Sequence, residues 1–107
     1  KKKIKFLKLD NIKLIKGSFE KTMIPNTGPK KIMCALIDAD LYQSYKISLP
    51  FVWSKLEKKG LIYLDEYYSI KFPGPRIATD EFCLDKNQKP KILSKNKFDF
   101  ERWGIFK

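Results

Sequence analysis

The sequence contains no histidine and only two cysteines, Cys34 and Cys83, which do not form a CxxC pair. A His- or Cys-built zinc site, a Ser-His-Asp triad and a Cys-His pair are therefore excluded within this chain. Arginine is nearly absent as well: of 23 basic residues only Arg76 and Arg102 are arginine. Nucleic-acid surfaces favour arginine, whose planar fork meets phosphates and bases bidentately. The net charge of +11 thus reads first as lysine spread over solvated faces, and nucleic acid is not the expected partner. No apolar run approaches the roughly 20 residues needed to span a bilayer, and nothing resembles a signal peptide. The expectation is a cytoplasmic protein without a membrane partner. The chain opens on Lys1-Lys2-Lys3, not Met, which reads as a piece of a longer chain.

What is present suffices for one small domain: 107 residues, 43% of them hydrophobic and 14% aromatic. Two apolar runs stand out, Ile32-Met33-Cys34-Ala35-Leu36-Ile37 and Leu61-Ile62-Tyr63-Leu64. Both read as buried strands, and the first, with six apolar residues in a row, suits a central strand covered on both faces. The segment between them reads as a helix over 40–59, with Ser44 as its cap, Ile47, Leu49, Phe51, Val52 and Leu56 as its apolar face, and Gly60 as its C-terminal stop after Lys58-Lys59. Pro50 should kink or divide that helix, or else start it. Strand, helix, strand is a βαβ unit with parallel strands.

Around this unit the chain reads as a helix end before Asn11, a strand at 12–16, a short helical turn at 19–24 and a loop at 25–29. A further loop follows at 67–75, where Phe72-Pro73-Gly74-Pro75 looks incompatible with helix, then a helix over 76–84 carrying Ile77, Phe82 and Leu84. Two short strands at 92–93 and 102–106 form an antiparallel pair, with a solvated tip at 95–97. Cys34 and Cys83 are expected to be reduced core residues, and Trp53 and Trp103 to be core as well.

Each apolar run ends in carboxylates: Asp38 and Asp40 after the first, Asp65 and Glu66 after the second. Parallel strands place both pairs at one sheet edge, where ligands bind in open α/β folds. A single aspartate there often caps a helix or pairs with a lysine. Four like charges gathered together repel, and a divalent cation relieves them. With only hard oxygen donors, magnesium, manganese or calcium suits the set. If the strand conformation continues, the DxD spacing puts Asp38 and Asp40 on one side.

The segments IDADLYQS, GLIYLDEYYS and FPGPRIATDEF, in that order, resemble the macrocin O-methyltransferase family of class I S-adenosylmethionine-dependent methyltransferases. LIKGSFEKTM and the final WGIFK are similar to further segments of that family. The resemblance runs from about Ile12 to Lys107 and concerns the family's C-terminal half only. It implies a partial Rossmann-like sheet with a C-terminal antiparallel pair, in a single domain that lacks the glycine-rich cofactor-binding part. It also implies divalent-metal-assisted O-methyl transfer to a hydroxylated small molecule such as a sugar. By position, Asp38, Asp65 and Glu66 correspond to metal ligands, with Glu66 where the family often has Asp. Asp40 corresponds to a general base or orienting group at the acceptor hydroxyl. Ser18 stands where a related enzyme has an acidic residue facing adenine. The chain has no GxGxxG-like segment, so these residues alone are expected to bind S-adenosylmethionine poorly and to be inactive, the activity belonging to a parent protein. In the usual sheet order two strands separate 12–16 from 32–37. Without them the chain repacks, self-associates through an open edge, or leaves that edge bare.

Tyr42, Tyr67 and Tyr68 flank the acidic clusters, either lining an acceptor pocket or anchoring loops. Arg76 either contacts substrate or a cluster carboxylate, or is a surface residue at a helix start. The alternative to the enzyme reading is a non-catalytic basic α/β module that binds nucleic acid or an acidic partner.

Overall fold

The computed structural model describes residues 2–95 and 101–107. Along the chain run α1 (Lys2–Phe6), α2 (Phe19–Thr22), β1 (Ile32–Ile37), α3 (Tyr42–Lys55), β2 (Leu56–Leu64), α4 (Pro73–Asp85), β3 (Lys91–Ser94) and β4 (Arg102–Phe106). The strands form one four-stranded sheet in the order β1-β2-β4-β3. β1 and β2 are parallel, while β4 runs antiparallel to both β2 and β3. The expected α/β architecture is present: a βαβ unit followed by an antiparallel C-terminal pair. Most of the solvated tip expected at 95–97 lies outside the described residues.

α3 packs on β1 and β2, and α4 packs on α3. The buried residues of α3 are Tyr45, Ser48, Leu49 and Val52, the i, i+3, i+4, i+7 stripe of a helix laid on a sheet. Burying a side chain such as Leu49 contributes roughly 1.5–3 kcal/mol. This stripe explains why Pro50, exposed on the opposite side, neither divides nor starts the helix but sits inside it. Packing on both sides of the proline outweighs the lost bond to the Lys46 carbonyl. Ser44 is not the cap; Leu41 holds that position, without a side-chain bond. The helix also ends earlier than expected. Leu56 turns to an extended conformation and is buried opposite Ile32, so Lys58, Lys59 and Gly60 belong to β2. Between the Ile32–Leu56 and Cys34–Leu61 pairs β2 carries a bulge. Lys59 takes a left-handed φ of 66° there, and a Cβ on Gly60 would lie 2.8 Å from the Leu56 side chain. Gly60 permits a close approach within a strand; it does not cap a helix.

β1 corrects a second expectation. It is the edge strand of the sheet, with Ile37 buried but Met33 and Leu36 61% and 63% exposed. Cys34 is exposed too, so only Cys83 is a core cysteine. The expected strand at 12–16 does not form, and Ile12, Leu14 and Ile15 are exposed. A strand takes its stability from a neighbour's hydrogen bonds, and no strand of the described sheet lies beside this segment.

α4 begins three residues before the expected start, on Pro73-Gly74-Pro75. The first turn of a helix has no intrahelical acceptors for its N–H groups, so prolines fit there. Gly74 lets this turn press on the start of α3: an added Cβ would lie 2.9 Å from the Tyr42 backbone nitrogen. The buried face of α4 is Pro75, Ala78, Thr79, Phe82 and Cys83, with Ile77 and Leu84 exposed contrary to expectation. Phe82 meets Trp53 edge-on, with ring centroids 5.7 Å apart. Both tryptophans pack against the core, as expected.

α2 rests on α3, whereas α1 buries no residue. The loop ahead of β1 is tied to α3 by the ammonium of Lys55. It donates to the carbonyls of Thr27 at 2.8 Å and of Pro25 and Pro29 at 3.2 Å.

Candidate metal centre

The parallel register sets the site. Ile37 lies opposite Leu64, and the Asp65 N–H donates to the Ile37 carbonyl at 3.1 Å. The chain thus leaves both strands at one level. Asp38, Asp40, Asp65 and Glu66 all line a cavity of about 500 Å³, with Tyr68 and Phe72 among its other walls. The expected gathering of four carboxylates at one sheet edge is therefore present.

The way Asp40 reaches the cavity differs from the expected extension of the strand. β1 stops at Ile37. The chain then turns tightly at Asp40, whose φ is 57°, and the Leu41 N–H donates back to the Ala39 carbonyl at 2.5 Å. Aspartate tolerates this left-handed region better than most residues. The turn brings carboxylate oxygens of Asp38, Asp40 and Glu66 within 4.8 Å of one another. Asp65 lines the same cavity but is not one of this close trio.

The trio is unequal. Asp38 and Asp40 are exposed, whereas Glu66 is 4% exposed. Its Oε2 accepts a hydrogen bond from the Tyr45 hydroxyl at 2.5 Å, and its Oε1 is buried without a hydrogen-bond partner. Burial pushes the Glu66 carboxyl above its ordinary range, the bond from Tyr45 pulls it back, and the neighbouring Asp38 carboxylate pushes it up again. A buried carboxylate oxygen without a donor, beside two further carboxylates, is the pattern that a cation relieves. The donors are all hard oxygens, so the residues fit magnesium, manganese or calcium.

The remaining sequence candidates lie elsewhere. Tyr42 donates to Glu81 Oε2 at 2.8 Å, on the outer side of the α3–α4 pair. Tyr67 is buried, donates to Asp80 Oδ1 at 2.7 Å and packs on Trp103 at 4.9 Å. Arg76 stacks over the Tyr67 ring at 5.6 Å and sits 4.0 Å from Asp80 Oδ2. None of the three lines the carboxylate cavity, and the contacts of Tyr67 and Arg76 are those of loop anchors. Ser18 precedes α2 and is likewise outside the cavity. Sequence reading missed Tyr45 altogether. Its one signal is a tyrosine at the first buried position of the helix that follows an acidic strand end.

No helix among the described residues is long and apolar enough to cross a membrane. Among curated proteins none matches the sequence. Solved structures do match. The O-methyltransferase NovP superposes with a TM-score of 0.75 at 20% identity, over 95% of this chain and 41% of that one. Apo CalS11, a TDP-rhamnose 3'-O-methyltransferase of calicheamicin biosynthesis, gives 0.67 at 23% identity, over 87% of this chain and 40% of that one. A second CalS11 structure gives the same score with 36% of its chain covered. The chain thus spans less than half the length of these structures. The likeness identifies the sheet as the open, Rossmann-like sheet of class I methyltransferases. The sequence model of the macrocin O-methyltransferase (TylF) family matches residues 3–98. That match corrects the expected extent of the resemblance. It begins at Lys3, not near Ile12, and with 95% of the chain superposed on NovP the restriction to the family's C-terminal half does not stand. Matched over most of its length, the chain belongs to the macrocin O-methyltransferase family.

Proposed function

We propose that the carboxylate edge holds a divalent cation and serves methyl transfer from S-adenosylmethionine to a hydroxyl of a small molecule, a sugar being the class suggested by CalS11. One observation carries the reading: carboxylate oxygens of Asp38, Asp40 and Glu66 lie within 4.8 Å of one another, and the buried Glu66 keeps one oxygen without a hydrogen-bond partner. Asp38 and Glu66 would hold the cation, with Asp65 or Asp40 completing the set. When bound, such a cation lowers the pKa of a coordinated hydroxyl and fixes its position. With Asp65 as the third ligand, Asp40, exposed in its tight turn, would accept the hydroxyl proton on its carboxylate. Phe72 and Tyr68 supply aromatic wall to the same cavity. The chain has no GxGxxG-like segment, and Ser18 stands outside the cavity.

The test is calorimetric titration of the chain, and of Asp38→Asn and Asp65→Asn, with magnesium and manganese. Saturable binding that Asp38→Asn abolishes is the expected result. Loss in Asp65→Asn as well would favour Asp65 over Asp40 as the third ligand. A folded chain that binds neither ion refutes the proposal.

A further inference from the structure

We propose that Tyr45 is a positioning residue of the carboxylate centre, its hydroxyl fixing Glu66 so that one carboxylate oxygen stays free for the cation. The inference rests on the metal reading above. Tyr45 lies in the first turn of α3 and is fully buried. Its hydroxyl reaches across to two strand ends, 2.5 Å from Glu66 Oε2 and 3.0 Å from the Ile37 carbonyl. That carbonyl also accepts the Asp65 N–H. The contacts therefore bind together the residue before Asp38, the residue before Glu66, and Glu66 itself.

The hydroxyl has one proton and faces two acceptors. Ile37 O already has a donor in Asp65, whereas Glu66 Oε1 is without a hydrogen-bond partner and the Glu66 carboxylate has, besides the Tyr45 hydroxyl, the Ala39 backbone N–H as a group that favours its charged form. The proton therefore belongs chiefly to Glu66. With Oε2 so engaged, the carboxylate cannot rotate freely about its last bond, and Oε1 is the oxygen left over. A ligand oriented in advance binds a metal more tightly than one that must be ordered on binding. A tyrosine that only filled the core would not need its hydroxyl at this point, and phenylalanine would fill the same space.

The experiment compares the wild-type chain with Tyr45→Phe, which keeps the ring and removes only the hydroxyl. Both are titrated with manganese by calorimetry and by the manganese EPR signal, at a temperature where circular dichroism shows them equally folded. The expected result is a dissociation constant raised roughly 10- to 100-fold, the range found when groups behind a metal ligand are removed. An unchanged constant, with the wild type binding, overturns the role of Tyr45 and leaves the metal reading intact. A wild type that binds no manganese overturns both. If Tyr45→Phe does not fold, the wild type labelled with 13C at the tyrosine ζ carbon is titrated with magnesium. A Tyr45 shift that follows the calorimetric curve supports the proposal, and a Tyr45 signal that stays still while magnesium binds overturns it.

Discussion

β1 and β2 are adjacent and parallel, both are apolar, and both run into carboxylates, yet they live in different surroundings. β2 has a strand on each side and buries Ile62 and Leu64. β1 has one neighbour and leaves Met33 and Leu36 to solvent. The contrast continues past the strand ends. Glu66, after β2, is enclosed and held by Tyr45, while Asp38 and Asp40, after β1, are exposed and shaped by a turn. A buried, anchored carboxylate supplies geometry, and exposed ones supply access. A centre that must hold an ion and admit a substrate needs both.

The contrast breaks or sharpens under measurement. The largest effect should come from core truncation. Ile62→Ala should cost about 2–5 kcal/mol in urea denaturation, whereas Leu36→Ala should stay within about 0.5 kcal/mol. Equal losses would mean that the outer face of β1 is covered after all. Next comes pH. The Glu66 carboxyl lies above its ordinary 4.5 in the folded chain, chiefly through burial. Between that value and the higher folded-state value the folded chain keeps a proton that the unfolded chain has released. Metal-free stability is therefore greatest below this window and falls as pH rises through it. In Glu66→Gln the fall should flatten, and an unchanged slope would show that Glu66 is not its source. The turn at Asp40 offers a smaller test. Asp40→Gly should be more stable than Asp40→Ala by about 1 kcal/mol, because alanine resists the left-handed conformation and glycine does not. Equal stabilities would mean that the turn relaxes. Least disturbing is thiol labelling of the native chain. Cys34, on the bare strand, should react readily. Cys83, its thiol pushed up to about 11 by burial and by the Asp80 carboxylate, should react only on unfolding. Comparable rates would remove the difference between edge and core.

Much of this site was legible in the sequence. The two apolar runs, the helix between them and the carboxylates at their ends require only the parallel crossover to place Asp38, Asp40, Asp65 and Glu66 together. What was not legible depended on neighbours. The run from Ile32 to Ile37 records apolar side chains, but only the sheet order says how many strands flank it. Gly60 after two lysines has the look of a helix stop, yet burial of Leu56 ended the helix first. Pro73 and Pro75 looked like loop residues because helix interiors reject proline, a rule that does not reach the first turn. The grouping of Asp40 with Asp38 and Glu66 came from a left-handed turn that no spacing rule encodes. Tyr45 is one aromatic among many until its hydroxyl is seen to meet Glu66.

Lys55 differs from the lysines that crowd the surface. Half-buried, it turns its ammonium inward on the carbonyls of Pro25, Thr27 and Pro29. Acylation of the chain would reach the outward lysines first, at sites where losing a charge changes solubility more than shape. At Lys55 the same reaction would take away the donors those three carbonyls share and loosen the clasp between the loop and α3. This one amine thus carries, for the loop ahead of β1, a mechanical duty that a solvated charge does not.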